Sequence, residues 1–322
     1  MSTTVYFASN RVLTGAPEVV ASYSKELQPP STSVKVVYGT AFVSGIDIPA
    51  NRQGKIDSIQ NVELGRFASD PAGDLADGGR DLLIFIHGFD NTFEDAITRA
   101  AFNREWLAAS GSASADMTVL AFSWPSLGKV VTPPILRANY LHDQQMARLS
   151  GTHLMTFLEN LKPIINVVRA AGFRTFLLAH SMGHVVLQNA VESWFLHGNA
   201  DAFLFDVAVL AAGDCGFDAF DQPGLARLSG LSRMAERTAI YYSQLDNVLQ
   251  VSFGVNLVPR LGQDGPRHRT DAAAFPATKF RMVNAAGFRD YDFNLFTSHQ
   301  YYRMSPLARA SIIEDMAPAS WV

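Results

Sequence analysis

The chain has 322 residues, of which 48% are hydrophobic and 17% charged, a composition that excludes a disordered protein. The 26 Lys and Arg against 30 Asp and Glu give a formal net charge of −4. Because no short window is dominated by basic residues, we expect no nucleic-acid partner. One large α/β domain fits this length, and no Gly/Ser linker or repeat divides the chain, so we predict a single domain over residues 1–322.

The longest apolar stretches are LLIFI (82–86) and FLFDVAVLAA (203–212). Both are shorter than the ~18 residues that a membrane-spanning helix needs. The N-terminus, MSTTVYFASNR, lacks the basic and apolar regions of a secretory signal. Cys215 is the only cysteine, so no internal disulfide can form. We therefore expect a cytoplasmic protein with no membrane span; the sequence does not predict its oligomeric state.

Short runs rich in Val, Ile, Leu and Phe predict strands. They are apolar on both faces, which is typical of a mostly parallel sheet covered by helices on both sides. The first two should extend the sheet at its N-terminal edge. The runs are TVYFA (4–8), VKVVY (34–38), LLIFI (82–86), TVLAFS (118–123), TFLLA (175–179), DVAVLAA (206–212), TAIYYS (238–243) and FRMVNA (280–285).

Helical periodicity fills the intervals between these runs. A capping box of Asn91 and Glu94 predicts a helix start. The apolar stripe of 144–161 predicts a helix, after which Pro163 should start or kink a second helical piece that ends near Gly172. One further helix should begin after Gly183, and a final helix should span residues 305–316. Alternating strands and helices with right-handed crossovers predict a doubly wound, mostly parallel α/β sheet with helices on both faces. Two turn-rich excursions should lie over a site, 124–143 and 249–278.

The segment TFLLAHSMGHVVLQNAV (175–191) runs from an apolar strand through Ser181 directly into a helix. This pattern predicts a nucleophile elbow, a tight turn that needs small residues two positions before and after the serine. Ala179 and Gly183 supply them, although glycine is usual at both places. The helix N-terminus would favour a developing oxyanion. The alternative is that Ser181 only caps the helix.

A second strand, LLIFI (82–86), ends in His87-Gly88-Phe89. Hydrolases with a nucleophile elbow place an oxyanion-hole amide at this point of the chain. We expect the backbone N–H groups of Phe89 and Met182 to form that hole. His87 is interpreted as a buried histidine that holds the loop rather than as a proton-transfer group.

A serine nucleophile needs a base and an orienting acid, in the chain order Ser, Asp/Glu, His. Asp246 and Asp214 each follow a predicted strand, and we favour Asp246 because it follows the second strand after the elbow. His299 lies after the last strand and before the final helix, where the base is expected. The other histidines after Ser181 are interpreted as helix or surface residues: His184, His197 and His268. His180 and His184 have metal-ligand spacing but lack a third ligand, so we predict no metal.

Together these motifs resemble the α/β-hydrolase superfamily, and more closely a bacterial branch of it that is largely uncharacterised. The resemblance covers most of the chain, and its order of motifs is more specific than any one motif alone. It implies Ser181, Asp246 and His299 as the catalytic triad. The motifs are VYFASNR (5–11), HGFDNTFEDAITRAA (87–101), FSWPS (122–126), YLHD (140–143), AHSMGH (179–184), YYSQLDNVLQVS (241–252) and SHQYY (298–302).

The sequence therefore predicts a serine carboxylic-ester hydrolase that acts through an acyl-enzyme on a small to medium apolar or aromatic ester, without cofactor or metal. Its partner would be a small-molecule ester. Four side chains are expected to line an apolar pocket: Trp124, Tyr140, Phe217 and Phe253. A lipase, a thioesterase or an amidase would use the same triad, and a non-catalytic binding protein on the same fold is a further alternative.

Overall fold

A computed structural model describes residues 1–28, 35–62, 80–112, 116–128, 135–200, 202–221 and 227–317. Within these ranges eleven strands are present. They are β1 (Thr3–Ser9), β2 (Arg11–Leu13), β3 (Tyr23–Leu27), β4 (Val37–Ser44), β5 (Lys55–Val62), β6 (Asp81–Ile86), β7 (Met117–Ser123), β8 (Thr175–His180), β9 (Phe205–Ala211), β10 (Ala235–Tyr242) and β11 (Phe280–Asn284).

The same ranges contain eight α-helices, together with short 3₁₀ turns. They are α1 (Phe93–Ala108), α2 (Ile135–Leu149), α3 (Gly151–Ala170), α4 (Gly183–Leu196), α5 (Asn247–Asn256), α6 (Leu261–Asp264), α7 (Tyr301–Met304) and α8 (Pro306–Met316). No helix of the described residues is long and apolar enough to cross a membrane.

Nine strands form one sheet in the order β11-β10-β9-β8-β6-β7-β1-β4-β5. The seven strands from β11 to β1 run parallel, and β4 and β5 continue the sheet in antiparallel pairing. The prediction of a mostly parallel α/β sheet is confirmed. The second predicted strand was placed too early, at 34–38, since β4 spans Val37–Ser44. Strand β5 was not predicted because most of its side chains are exposed and give no apolar run.

Two apolar clusters, one on each face of the sheet, explain why its strands are apolar on both sides. In β8, Leu177 and Ala179 pack into the cluster that contains α3 and α4. Their neighbours Phe176 and Leu178 pack into the cluster that contains α1 and α8. Because successive side chains of a strand point to opposite faces, both faces are buried. The sheet thus holds the β8 end, and the turn that follows it, rigidly between two helical layers.

Helix boundaries differ from the predictions where side chains outside the helix decide them. Helix α1 is capped by Thr92 with Asp95 as the reciprocal partner, one residue later than the predicted box of Asn91 and Glu94. The predicted helix 144–161 is divided between α2 and α3, and α3 continues through Pro163. Gly151 begins α3 where a Cβ would lie 2.4 Å from the Cβ of Asn189.

The two predicted excursions contain helices. Helix α2 begins within 124–143, and α5 and α6 overlap 249–278. Residues 129–134 of the first excursion lie outside the described residues. The helical content of the second excursion has a local cause, because Asp246 provides an N-cap for α5.

Candidate active site

Ser181 lies in the turn between β8 and α4 with a positive φ of 55°, a conformation that a non-glycine residue keeps only when its surroundings impose it. Its backbone N–H donates to the Ala211 carbonyl oxygen at 3.2 Å. Its carbonyl oxygen accepts from the backbone N–H of His184 at 3.1 Å and of Asp214 at 3.0 Å. The Nδ1 of His184 lies 2.9 Å from the same oxygen. These contacts fix the turn that presents Ser181.

Two glycines permit the close packing around this turn. A Cβ on Gly183 would lie 2.6 Å from the carbonyl oxygen of His87 and 2.8 Å from that of Ile86. A Cβ on Gly88 would lie 2.6 Å from the Cβ of Ser181. The turn after β8 and the loop after β6 therefore touch, which is why each segment carries a glycine.

Asp246 and His299 are brought together at the carboxyl end of the sheet. The Nδ1 of His299 lies 2.6 Å from the Oδ2 of Asp246, and both residues are buried. The other carboxylate oxygen, Oδ1, accepts from the backbone N–H groups of Val248 at 3.1 Å and Leu249 at 3.0 Å. Asp246 thus caps α5 and holds the imidazole with the same carboxylate.

This contact defines which nitrogen of His299 carries the proton. Because a carboxylate only accepts, Nδ1 must be the donor, so in the neutral ring the lone pair lies on Nε2. Nε2 is buried and has no hydrogen-bond partner among the described residues. The ring therefore presents an unoccupied acceptor, the arrangement that a general base requires.

His180, the residue before Ser181, links the serine turn to the segment of His299. Its Nε2 lies 3.1 Å from the His299 carbonyl oxygen, and the two rings are 4.7 Å apart. Burial, with the charges of His299 and Arg99 as smaller contributions, lowers the pKa of His180 well below its usual value. His180 is consequently neutral and donates from Nε2. Because His180 directly precedes Ser181, its contact with His299 places the imidazole of His299 beside the elbow.

The loop after β6 is held by His87 and Trp124. The Nε2 of His87 accepts from the Trp124 backbone N–H at 3.1 Å, and the indole N–H of Trp124 donates to the His87 carbonyl oxygen at 2.8 Å. The two rings are stacked 4.9 Å apart. Burial, followed by the Arg11 cation, lowers the pKa of His87 well below its usual value. His87 is a structural histidine, as the sequence suggested.

Trp124 does not have the position expected of a pocket residue. Its exposed fraction is 0%, so the side chain offers no accessible surface to a substrate in this structure. Both its ring and its N–H are used to hold His87, and its role in lining the pocket stays a prediction.

Asn91 clamps the same loop from its other side. Its side-chain amide donates to the carbonyl oxygens of Phe89 at 2.6 Å and Gly88 at 3.0 Å. Its backbone N–H donates to the Ser126 hydroxyl at 2.7 Å, and its carbonyl oxygen accepts from Arg11 at 2.9 Å. This side chain is 1% exposed. It orients the peptide unit that joins Gly88 to Phe89, whose N–H is the expected oxyanion donor; the N–H of the next unit, at Asp90, donates to Asp143 at 3.3 Å.

The backbone N–H groups of Phe89 and Met182 are the expected oxyanion donors. Within the described residues, neither donates a hydrogen bond to another part of the protein. Met182 is the N-cap residue of α4, where the helix dipole favours negative charge. Two free donors flank the packed contact of Gly88 and Ser181.

Asp214 is saturated by partners other than a histidine. Its carboxylate accepts from Tyr140 at 2.9 Å, from Arg260 at 3.0 Å and from the Ser252 hydroxyl. Burial alone would lower the pKa of Arg260, but Asp214, Tyr140 and Cys215 together outweigh burial and raise the pKa. This buried cluster joins α2 and α5 to the elbow through the Asp214 backbone N–H, which donates to Ser181 at 3.0 Å.

The three remaining predicted pocket residues have different environments. The Tyr140 ring lies 5.8 Å from that of Phe89, beside the oxyanion loop, but its hydroxyl belongs to the Asp214 cluster. Phe217 is half-buried beneath the Arg267 guanidinium at 4.7 Å. Phe253 is 43% exposed on α5.

The sequence analysis did not identify Asn91 or Arg260 as residues that hold the site. The only local signal was for Asn91, a polar residue directly after the HGFD segment.

A parallel sheet between helical layers, an elbow serine and a buried Asp-His pair define the protein as an α/β-hydrolase. The chain belongs to the family described as alpha/beta hydrolase of unknown function (DUF900), whose model matches residues 74–315. The predicted superfamily is thereby confirmed.

Comparison with solved structures gives a similarity to Trichoderma reesei cutinase in complex with a C11Y4 phosphonate inhibitor. The identity is 12% and the TM-score 0.34, with 80% of this chain and 93% of the cutinase chain covered. No curated protein matches the chain.

Proposed function

We propose that this hydrolase cleaves carboxylic esters by acyl transfer, with Ser181 as nucleophile, His299 as general base and Asp246 as the orienting acid. The observation that carries the proposal is the buried contact of His299 with Asp246, which leaves the Nε2 lone pair unpartnered beside the elbow. A histidine held in this way by a carboxylate is the activating half of a serine triad.

In the proposed reaction the Ser181 hydroxyl oxygen attacks the ester carbonyl carbon while His299 Nε2 takes its proton. The tetrahedral oxyanion accepts from the Phe89 and Met182 N–H groups. Collapse breaks the ester bond, and the imidazolium protonates the leaving alcohol. Water, deprotonated by His299, then attacks the acyl-enzyme and releases the carboxylic acid. Asp246 stabilises the imidazolium in both halves of the reaction.

The proposed substrate is a small to medium apolar or aromatic ester, taken between the oxyanion loop and the segments that carry Tyr140, Phe217 and Phe253. The position of the Tyr140 ring beside Phe89 supports a pocket wall at that point.

The test is labelling with a fluorophosphonate probe, followed by mapping of the modified residue. Ser181→Ala should abolish labelling and lower ester turnover by about 10⁴-fold or more. Ser58→Ala, which changes an exposed serine of β5, is the matched control and should label as the wild type does. Attachment of the probe at another serine would overturn the proposal.

A further inference from the structure

A second cluster of polar side chains lies between α1 and α7, on the His180 side of the candidate triad. Arg99, Phe102, Asn103 and Trp106 form one stripe of α1, since residues three and four apart share a helix face. The Arg303 guanidinium lies 5.6 Å from the Phe102 ring centre. The Trp106 indole N–H donates to the Tyr302 carbonyl oxygen at 3.2 Å. The stripe therefore faces Tyr302 and Arg303.

This cluster contains buried polar atoms without partners. Among the described residues, Arg99 Nε, both amide atoms of Asn103 and the Tyr302 hydroxyl have no hydrogen bond. Asn103 and Tyr302 are each 1% exposed. Folded proteins satisfy the great majority of their buried polar groups, so several such atoms in one place indicate an occupant.

The cluster also has an excess of positive charge. Arg303 is 8% exposed and is bound by neutral oxygens only, Oε1 of Gln300 at 2.8 Å and Oδ1 of Asn51 at 3.0 Å. Burial, followed by the neighbouring Arg99 cation, lowers the pKa of Arg303 to about 10. Neither arginine forms an ion pair with a carboxylate of the described residues. A buried guanidinium without a counter-charge is unfavourable.

We propose that Arg99, Asn103, Tyr302 and Arg303 form a binding site for an oxyanion group, a carboxylate or a phosphate. Water could fill the hydrogen bonds, but only an anion also offsets the two charges. The donors are of the kind that recognises oxyanions, because a guanidinium offers N–H groups in a planar fork, the amide adds two N–H donors and the hydroxyl adds one.

The site adjoins the candidate triad through His180. The His180 ring lies 4.4 Å from that of Tyr302, and its Nε2 donates to the His299 carbonyl oxygen. The anion could be the acidic group of a substrate or a free small anion. Both sources share one chemistry, and the experiment separates them.

Direct binding is measured first, with inorganic phosphate at constant ionic strength adjusted with NaCl. The measurement is made on Ser181→Ala, so that it does not depend on hydrolysis. Phosphate at about 100 times its Kd should raise the Tm by about 3 °C or more. Adding Arg99→Gln should weaken phosphate binding by about tenfold or more.

Arg104→Gln in the same background is the matched control. Arg104 lies on the same helix but is paired with Glu105 at 2.7 Å and with Asp116, so its loss should leave phosphate affinity unchanged. The proposal is overturned if phosphate has no effect beyond that of NaCl, or if Arg99→Gln binds phosphate as tightly as its parent. Either result would mean that the cluster holds only water.

The source of the anion is tested in the active enzyme with nitrophenyl esters whose acyl chains end in a carboxylate or in a primary amide. If the substrate supplies the anion, kcat/KM should favour the carboxylate by about tenfold, and Arg99→Gln should abolish that preference. If a free anion occupies the site, the two esters should react equally while phosphate still binds. Absence of all hydrolysis would refute the proposed esterase but not the phosphate result.

Discussion

A β-carbon placed on Gly88 would lie 2.6 Å from the Cβ of Ser181, so the loop after β6 packs directly against the turn that carries Ser181. Two segments that are about 90 residues apart in the chain are thereby held in steric contact. In the proposed reaction the same contact fixes the oxyanion donor relative to the attacking oxygen.

Gly88→Ala should therefore impair catalysis more than folding. The added methyl must displace either the loop or Ser181, and a shift of about 1 Å in a reacting group costs on the order of 10² in rate. The measurement is kcat on a nitrophenyl ester, with circular dichroism to verify the fold. Gly254→Ala is the control: its Cβ would meet nothing within 4 Å. Equal kcat values for these two variants would contradict the prediction.

The two candidate acids should respond differently to replacement by asparagine. Asp246→Asn should lower kcat by about 10³ to 10⁴, because an amide favours the wrong tautomer of His299. Asp214→Asn should mainly lower the free energy of unfolding, by about 3 kcal/mol or more, because it leaves Arg260 buried without its counter-charge. Urea denaturation measures the free energy of unfolding of both variants, and steady-state kinetics measures their kcat. A folded Asp214→Asn protein with the larger loss of kcat would make Asp214 the acid.

Asn91 should act on the rate through the position of the Phe89 N–H. Asn91→Ala releases the carbonyl oxygens of Gly88 and Phe89, and we expect kcat to fall by about 10- to 100-fold with a smaller change in KM. Asn199→Ala is a suitable comparison, since that amide donates to Glu159 at 2.7 Å on another part of the surface. If Asn91→Ala raised KM alone, the clamp would serve ground-state binding instead.

Three buried histidines should make the protein less stable in mild acid. Burial lowers the pKa of His184 to about 4 and those of His87 and His180 well below 6.5. The unfolded chain therefore takes up more protons than the folded one as the pH falls below about 6.5. Each histidine should lower the free energy of unfolding by about 1.4 kcal/mol per pH unit, down to its folded pKa.

Urea unfolding at pH values from 6.5 to 5 measures this slope. His184→Gln should reduce it by an amount that approaches one proton equivalent, about 1.4 kcal/mol per pH unit, towards pH 5. His197→Gln is the control, because that ring is exposed at the end of α4. A stability that is constant over this pH range would contradict the assignment of neutral, buried imidazoles.

The chain order of strands and helices could be predicted because both layers of the core require local sequence patterns. Apolar runs such as 82–86 and 206–212 are buried on both faces, and the elbow around Ser181 needs small residues at fixed positions. Strand β5 has no apolar run because most of it is exposed at the sheet edge. The start of helix α2 was not predicted because its first turn directly follows the prolines of 124–143.

The sequence by itself indicated the sheet, the elbow and a small set of carboxylates and histidines at strand ends. Only the tertiary structure decided among them, because hydrogen bonds between distant segments do not follow from local pattern. Asp246 lies against His299 while Asp214 is taken by Tyr140, Ser252 and Arg260. Trp124 is likewise a loop residue in sequence, yet it is fully buried because the His87 loop packs on it.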